Sequence, residues 1–452
     1  MRFLPFALIA AVATALSALA QAQDLAPIVG DWYGALNAGV KLPVVLHVKL
    51  DGSASVDSPS QGATGMPAAA SLTGSAVTLT LTKPAASFEG AVSSDGATLS
   101  GQWKQSGAAL PLVLTRTAPA VARRPQTPQP PFPYRAEDVT YANPATGLKL
   151  EATLTLPDGE GPFPAVLLIT GSGTQDRDET ILGHKPFLLI ADALTRRGVA
   201  VLRVDDRGAG GSEAPPATAD LACQAEDVRA SLAWLRARPQ INPARVGLLG
   251  HSEGGSLAVI TAAADPKVAF VVLMAGPGVS GGRIIVSQTA AALTASGAAP
   301  VQVQGISTLE QKLIDIVASD RAAPEALAAL NVVFDEAGVP KVPAARAQLQ
   351  TMVNPHYRDF VRYDPAADLK RIKVPLLAVG GTKDTQVPAT ENLAAIRAAD
   401  PRATTRELPG LNHLFQTAGT GLVAEYGEIE ETMAPAALAL IVDWTLAHAT
   451  AP

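Results

Sequence analysis

Cysteine is almost missing from this sequence, since Cys223 is the only one among 452 residues. A single thiol cannot form an internal disulfide, which excludes a fold that depends on disulfide bonds. Aromatic residues are also few, at 4% of the chain, although 48% of the residues are hydrophobic. The chain therefore has enough apolar material for a substantial core, and its length favours two domains over one.

Clusters of a single charge are absent as well. The formal net charge of −6 is spread along the chain, and no basic cluster indicates a nucleic-acid-binding protein or one that lies on an anionic membrane surface. The histidines do not pair in the spacing of metal ligands. We therefore expect no nucleic-acid partner, no metal and no other cofactor.

Long hydrophobic runs are lacking beyond the N-terminus. Residues 1–22 contain Arg2, an apolar stretch from Phe6 to Leu19, and two small-residue cleavage sites, which end at Ala20 and Ala22. This composition is typical of a signal peptide, whereas the alternative, a membrane anchor, needs a longer apolar run. We expect export to the periplasm or the medium, and a mature protein with no stable membrane anchor.

Two regions of different pattern are joined by a proline-rich stretch. Residues 23–117 contain short segments of alternating apolar and polar residues, such as Val77–Leu81, which predict a small all-β barrel or sandwich. Residues 118–133 contain six prolines and are predicted to form an extended, semi-rigid spacer. Residues 134–452 form the second domain, which a helical insertion interrupts at about residues 277–372.

A strand, a sharp turn and a helix are predicted in immediate succession around Ser252. The apolar run that ends at Leu249 is followed by Gly250-His251-Ser252-Glu253-Gly254, a G-x-S-x-G pattern, and then by a helix of small residues. Such a turn presents the serine hydroxyl above the N-terminus of the helix. Glycines flank the serine because side chains there would collide across the turn. Ser252 is therefore the candidate nucleophile.

An acid and a histidine follow the serine, as a serine nucleophile requires a base. An apolar run from Val374 ends in a turn at Asp384, and a short strand and loop lead to His413. Over residues 135–450 the chain resembles the α/β-hydrolase superfamily, whose catalytic residues come in this order. The resemblance implies an α/β fold, with a mostly parallel sheet, helices on both faces and a helical cap. It also implies that Ser252 is the nucleophile, His413 the general base and then acid, and Asp384 the group that orients the imidazole.

The loop after the strand at residues 164–170 begins with Gly171-Ser172-Gly173. By the same resemblance, this loop gives one N–H to the oxyanion hole and the residue after the nucleophile gives the other. We assign these donors to Ser172 and Glu253. The loop continues as Gln175-Asp176-Arg177-Asp178-Glu179 and resembles that of an exported bacterial esterase group near the serine aminopeptidase family. Asp176, Arg177 and Asp178 are expected to lock the loop by ion pairs rather than to contact substrate, and the Gly-rich turn at residues 205–212 is expected to be structural.

The insertion at residues 277–372 is predicted to be helical. A capping box at residues 307–310 predicts that a helix begins there, and a second helix is predicted to begin at Pro324 and to end at Gly338. In the superfamily that the chain resembles, an insertion at this place often forms a cap that excludes water and shapes the substrate pocket. The acids of this insertion are Glu310, Asp315, Asp320, Glu325, Asp335 and Glu336.

These observations favour an exported serine hydrolase that cleaves a small-molecule carboxylic ester through an acyl-enzyme. A serine aminopeptidase and an acyl thioesterase are alternatives, as is a binding module that has lost catalysis, although an intact triad argues against the last. An aminopeptidase needs carboxylates aimed at an α-ammonium group, and the sequence forces none of the cap acids inward. The loop at residues 170–173 also departs from the His-Gly-Gly-Pro-Gly pattern of proline-specific aminopeptidases. The oligomeric state stays open.

Overall fold

The computed structural model describes residues 25–37, 41–58, 63–105, 107–118, 123–214, 220–339 and 343–450. The predicted signal peptide, residues 1–22, lies outside the described residues. The chain divides into two compact units, and, residues 342–345 aside, the boundary between them falls after residue 121. Each unit has a hydrophobic core of its own.

The first unit is a closed antiparallel barrel in which each strand pairs with the next and the first closes on the eighth. Val77, Leu79 and Leu81 are buried while the threonines between them are exposed, which is the alternation that the sequence predicts. The prediction of an all-β module is confirmed, and the module is a barrel. Its strands are β1 Gly30–Asn37, β2 Lys41–Val48, β3 Ser53–Ser58, β4 Ala63–Thr73, β5 Ala76–Thr82, β6 Ala85–Val92, β7 Thr98–Gln105 and β8 Ala108–Thr115.

The second unit is built on an eight-stranded mixed sheet in the order β16-β15-β14-β13-β11-β12-β10-β9. The pairs β9–β10 and β10–β12 are antiparallel, and the remaining pairs are parallel. The carboxyl ends of the parallel strands therefore meet at one edge of the sheet. The strands are β9 Arg135–Ala142, β10 Lys149–Leu156, β11 Phe163–Ile169, β12 Ala200–Val204, β13 Ile241–His251, β14 Val271–Met274, β15 Leu376–Gly381 and β16 Thr404–Leu408.

Helices cover both faces of this sheet. Alternate residues of β11 belong to two separate cores, Leu167 to one and Val166 and Leu168 to the other, so apolar side chains are buried on each face. The predicted α/β fold is confirmed. No helix among the described residues is long and apolar enough to cross a membrane. The helices are α1 Pro186–Thr195, α2 Leu221–Arg236, α3 Glu253–Ala264, α4 Gly281–Ala295, α5 Pro300–Ala318, α6 Ala323–Glu336, α7 Pro343–Met352, α8 Pro355–Arg362, α9 Ala366–Arg371, α10 Ala389–Ala399 and α11 Pro435–Ala449.

Six of these helices, α4 to α9, lie between β14 and β15 and form the insertion. The capping-box prediction is wrong, because α5 begins at Pro300 and residues 307–310 lie inside it. Proline needs no N–H partner at the first helical position, and the Gln302 side chain accepts a 3.0 Å hydrogen bond from the Ala299 N–H. The next helix agrees with its prediction, since Pro324 lies in its first turn and Gly338 follows it with a φ of 70°.

The second half of the proline-rich stretch is not a free spacer. Arg124 donates hydrogen bonds to the carbonyls of Leu182, Gly427 and Ile429, at 2.8, 2.9 and 3.1 Å. Gln126 donates to the carbonyl of residue 433 and accepts from the N–H groups of residues 432 and 433. Residues 123–133 therefore belong to the second unit. There they contact both the segment that follows His413 and the end of the loop at residues 171–182, which is called the oxyanion loop below after the role that the sequence predicts for it. A proline-rich composition indicates an extended backbone but not what that backbone packs against.

We predict that replacing both Arg124 and Gln126 by alanine lowers the free energy of unfolding by roughly 2–4 kcal/mol, because partly buried carbonyl and N–H groups lose their partners. Thermal and denaturant unfolding measure the effect. Arg123→Ala is the matched control, since this neighbouring side chain is exposed. Equal stability of the double variant and the control would show that the docked segment contributes nothing.

Candidate active site

Ser252 lies at the tight turn between β13 and α3, with a φ of 54° and a ψ of −123°. Its N–H donates to the carbonyl of Met274 on the adjacent strand at 2.9 Å. A Cβ at Gly250 would come within 2.1 Å of the Gly254 carbonyl oxygen, and one at Gly254 within 2.3 Å of the Ile169 oxygen. Neither position can hold a side chain, so the two glycines of the pattern allow the turn to form.

Asp384 and His413 form a buried pair at the same edge of the sheet. Asp384 follows β15 and His413 follows β16, and each residue is only 4% exposed. The Nδ1 of His413 lies 2.8 Å from Oδ2 of Asp384. The other carboxylate oxygen accepts hydrogen bonds of 2.8 Å from the N–H groups of Gln386 and Val387. The carboxylate is thus fixed by the backbone, and it fixes the imidazole in turn.

The residue before Ser252 lies beside this pair, but the Ser252 hydroxyl does not hydrogen bond to it. The ring of His251, the residue before the serine, lies 4.8 Å from the His413 ring, centroid to centroid. Among the described residues none accepts or donates a hydrogen bond at the Ser252 hydroxyl.

The sequence assigns the N–H groups of Ser172 and Glu253 to the oxyanion hole, and neither donates a hydrogen bond to any described residue. Glu253 is the first residue of α3, where a backbone N–H has no partner within the helix. Ser172 is exposed at the tip of its loop. The preceding N–H, that of Gly171, is by contrast occupied, because it donates to Oε1 of Glu179 at 2.7 Å. A Cβ at Gly171 would lie 3.3 Å from the Ser252 Cβ, so the loop passes directly beside Ser252.

Carboxylates of the turn at residues 205–212 hold this loop. Asp205 binds the Arg177 guanidinium, with its Oδ2 at 2.7 Å from Nη2. Asp206 accepts from the hydroxyl of Thr170, just before the loop, at 2.7 Å and from the N–H of Gln175, within the loop, at 2.9 Å. Burial raises the pKa of Asp206 to about 7. The turn is structural, as the sequence predicts.

The predicted ion pairs of the loop are present for two of its three residues. Arg177 pairs with Asp205, and Asp178 pairs with Arg203 and with Lys185. Asp176 instead accepts hydrogen bonds from the backbone N–H groups of residues 178 and 180. None of these three side chains hydrogen bonds to Ser252, which agrees with a role in fixing the loop.

Glu179 and His251 form a buried pair that the sequence does not predict. Glu179 is 1% exposed, His251 is 3% exposed, and Oε1 of Glu179 lies 2.8 Å from Nδ1 of His251. The other ring nitrogen, Nε2, lies 3.1 Å from the carbonyl oxygen of His413. The available signals were a histidine inside the G-x-S-x-G pattern and a glutamate in the oxyanion loop. Nothing in their spacing links them, since they are 72 residues apart.

A cavity of about 510 Å³ lies beside the oxyanion loop, within the range of ordinary small-molecule sites. The ends of β11 and β12, parts of α2 and α3, and the cap residue His356 form its walls. Gly171, which lines it, lies against Ser252, although the three residues of the predicted triad are not in its wall. Among the described residues that line it, none is one of the six cap acids.

Comparisons with known proteins agree with this architecture. Residues 146–415, more than half of the chain, match the family model described as X-Pro dipeptidyl-peptidase (S15 family). The chain is 29% identical over 269 residues to esterase EstD of Thermotoga maritima, which covers 59% of this chain and 58% of that esterase. It is 32% identical over 127 residues to thiohydrolase aneE of Aspergillus aculeatus, which covers 28% of this chain and 37% of that protein. The chain thus spans less than two thirds of the length of these curated relatives.

Among solved structures, the chain is similar to that of the α/β hydrolase GrgF from Penicillium sp. sh18. Its TM-score with this chain is 0.45 at 19% sequence identity, and the match covers 70% of this chain and 100% of that one.

We predict that Gly254→Ala destabilises the protein by about 1–3 kcal/mol and abolishes turnover, because the new methyl group overlaps the Ile169 carbonyl and displaces the loop. Gly305→Ala is the control. Gly305 lies inside α5 with open space around it, so alanine there should stabilise slightly. Thermal unfolding and ester hydrolysis report both effects. An active, stable Gly254→Ala protein would mean that the turn tolerates a side chain and that its geometry is not as described.

Proposed function

The chain belongs to the X-Pro dipeptidyl-peptidase (S15) family, and from this membership and the site geometry we propose that it is a serine hydrolase of carboxylic esters whose catalytic residues are Ser252, His413 and Asp384. The observation that carries the proposal is the buried His413–Asp384 pair, 2.8 Å apart, beside a serine held at a φ of 54°. A buried ion pair adds little to stability compared with hydrophobic packing, and a residue at a positive φ costs free energy. Their occurrence together therefore supports a functional role.

In the proposed reaction, the Ser252 hydroxyl attacks the ester carbonyl while Nε2 of His413 takes its proton. Asp384 keeps the other nitrogen protonated and the ring in place. The N–H groups of Ser172 and Glu253 hold the oxyanion of the tetrahedral intermediate, and the N-terminus of α3 adds a favourable field. His413 then protonates the departing alcohol. Water, activated by the same imidazole, releases the acid from the acyl-enzyme.

An aminopeptidase is the second candidate, because the family is described by a dipeptidyl-peptidase activity and because Asp206 lines the cavity without a cationic partner. We favour the ester for two reasons. Both oxygens of Asp206 already accept hydrogen bonds from groups just before and within the oxyanion loop, and with a pKa of about 7 this carboxyl is only partly ionised at neutral pH. The cap, for its part, contributes His356 to the cavity rather than a carboxylate.

Export is also part of the proposal, and it rests on the composition of residues 1–22. The N-terminal sequence of the protein recovered from the periplasm or medium of an expressing bacterium tests it, with a start at residue 21 or 23 expected.

We predict that a fluorophosphonate labels the protein at Ser252, and that Ser252→Ala abolishes both labelling and turnover while leaving thermal unfolding unchanged. Asp384→Asn should lower turnover by about four orders of magnitude, because the imidazole loses its orientation and its protonated form loses its partner. Ser172→Ala is the matched serine control, since the oxyanion role of residue 172 needs only the backbone N–H. Labelling of another serine, or near-normal turnover by Asp384→Asn, would contradict the assignment.

We predict measurable kcat/KM on short-chain p-nitrophenyl esters and little or none on prolyl or alanyl arylamides. An amide places a greater demand on protonation of the leaving group, and among the described residues that line the cavity none is one of the six cap acids. The panel is run on wild type and on Asp206→Asn. Faster cleavage of the arylamides, lost in Asp206→Asn, would establish the aminopeptidase and reject the ester assignment.

A further inference from the structure

We propose that Glu179 and His251 form an ion pair that positions the oxyanion loop and the His413 loop on either side of Ser252. The two residues act through other groups and are positioning residues rather than catalytic ones. This inference rests on the proposed function, because it concerns the efficiency of the same site. It assigns a role to a buried titratable pair that the hydrolytic steps themselves do not use.

The contacts form a continuous chain across the site. The Gly171 N–H donates to Oε1 of Glu179 at 2.7 Å, and the same oxygen lies 2.8 Å from Nδ1 of His251. Nε2 of His251 lies 3.1 Å from the His413 carbonyl oxygen. The chain therefore begins in the loop that carries Ser172 and ends in the backbone of the proposed base. His251 is also the neighbour of Ser252, so one side chain connects all three parts of the site.

The partners of His251 determine its protonation state. Both ring nitrogens face oxygen acceptors, a carboxylate at Nδ1 and a backbone carbonyl at Nε2. Only an imidazolium supplies two N–H donors. Burial lowers the pKa of His251, but Glu179, together with the His413 carbonyl and the more distant Asp384, more than offsets this, so that its pKa is raised overall. The carboxylates that act on the ring are those of Glu179 and Asp384. The other titratable group beside it is the His413 imidazole, whose ring is tilted by 43° with the two centroids 4.8 Å apart.

The pair decides which N–H of the oxyanion loop is available. Because Glu179 occupies the Gly171 N–H, the next one, that of Ser172, is left to receive the oxyanion. Glu179 itself has a φ of 53°, a conformation that persists only where the surroundings enforce it. Its Oε2 is buried without a hydrogen-bond partner among the described residues. An apolar residue that served only for packing would need neither a positive φ nor a buried oxygen without a hydrogen-bond donor.

The expected consequence is an effect on turnover more than on substrate binding. The cavity wall contains neither Glu179 nor His251, so substrate contacts there stay intact when the pair is changed. A small displacement of the oxyanion donor or of the base, however, lowers the rate steeply. Loss of the second proton from His251 has the same effect as mutation, since a neutral ring can no longer donate to both loops.

The direct test is an NMR spectrum of the histidine ring nitrogens of the protein, with signals assigned by His251→Gln and His184→Gln. His251 should be doubly protonated at pH 7. His184 is the internal control, because it is equally buried but its pKa is lowered, mainly by burial, to about 4, so it should be neutral. A neutral His251 at pH 7 would overturn the proposal.

The kinetic test compares Glu179→Gln with wild type on one p-nitrophenyl ester. We expect kcat to fall by about tenfold to a hundredfold and KM to stay within about twofold. The loss of activity on the alkaline side should move to lower pH, because a neutral amide no longer stabilises the imidazolium. The control is Asp265→Asn, which removes the partner of Arg236 at the far end of α3 and should leave kcat and the pH profile unchanged.

The outcomes separate this inference from the proposed function. An unchanged pH profile in a folded Glu179→Gln protein, or a loss confined to thermal stability, would reduce the pair to a structural role and contradict the inference. Failure of a fluorophosphonate to label Ser252 in wild type would overturn the proposed function. The NMR spectrum would still decide separately whether His251 is doubly protonated in the pair with Glu179.

Discussion

The positive φ of Ser252 is the constraint around which the second unit is built. At 54° the residue occupies a region that costs about 1–3 kcal/mol for an ordinary side chain. Hydrogen bonding to the carbonyl of Met274 and the absence of side chains at Gly250 and Gly254 compensate that cost. The turn, in return, lifts one hydroxyl out of a buried sheet and leaves the N–H of Glu253 free at the start of a helix. The strained backbone of Ser252 is therefore also what exposes its hydroxyl beside a free N–H group.

Buried charge then organises the loops around this turn. Asp205 and Asp206 hold the oxyanion loop, Glu179 holds its first N–H, and Asp384 holds His413. Each carboxylate is used for positioning because a buried carboxylate has strict demands for donors. The loops on either side of Ser252 are thus held by side chains that follow β12 and β15.

Local pattern was enough to predict much of this arrangement. The strand, turn and helix at Ser252 could be predicted because each depends on residues within a few positions. In the same way, the alternation at Val77–Leu81 predicts a strand of an all-β module, although it does not distinguish a barrel from a sandwich. The Glu179–His251 pair could not be predicted, because its members are 72 residues apart and no periodicity relates them. Arg124 is a similar case, with a partner 305 residues away. The helix α5 begins at Pro300 and not at the capping-box pattern of residues 307–310, which lies inside it. Both sequences are typical of a helix start, and the pattern alone does not decide between them.

The central claim is that the hydroxyl of Ser252 reacts in a site where the N–H groups of Ser172 and Glu253 receive the oxyanion. A crystal structure of the protein after reaction with a p-nitrophenyl phosphonate tests it most directly, since the phosphonyl oxygen takes the place of the oxyanion. The account predicts a covalent bond from Ser252 Oγ to phosphorus and a phosphonyl oxygen about 2.7–3.1 Å from both N–H groups, with the Gly171 N–H still on Glu179. An adduct on another residue, or a phosphonyl oxygen bound by the Gly171 N–H, would contradict it.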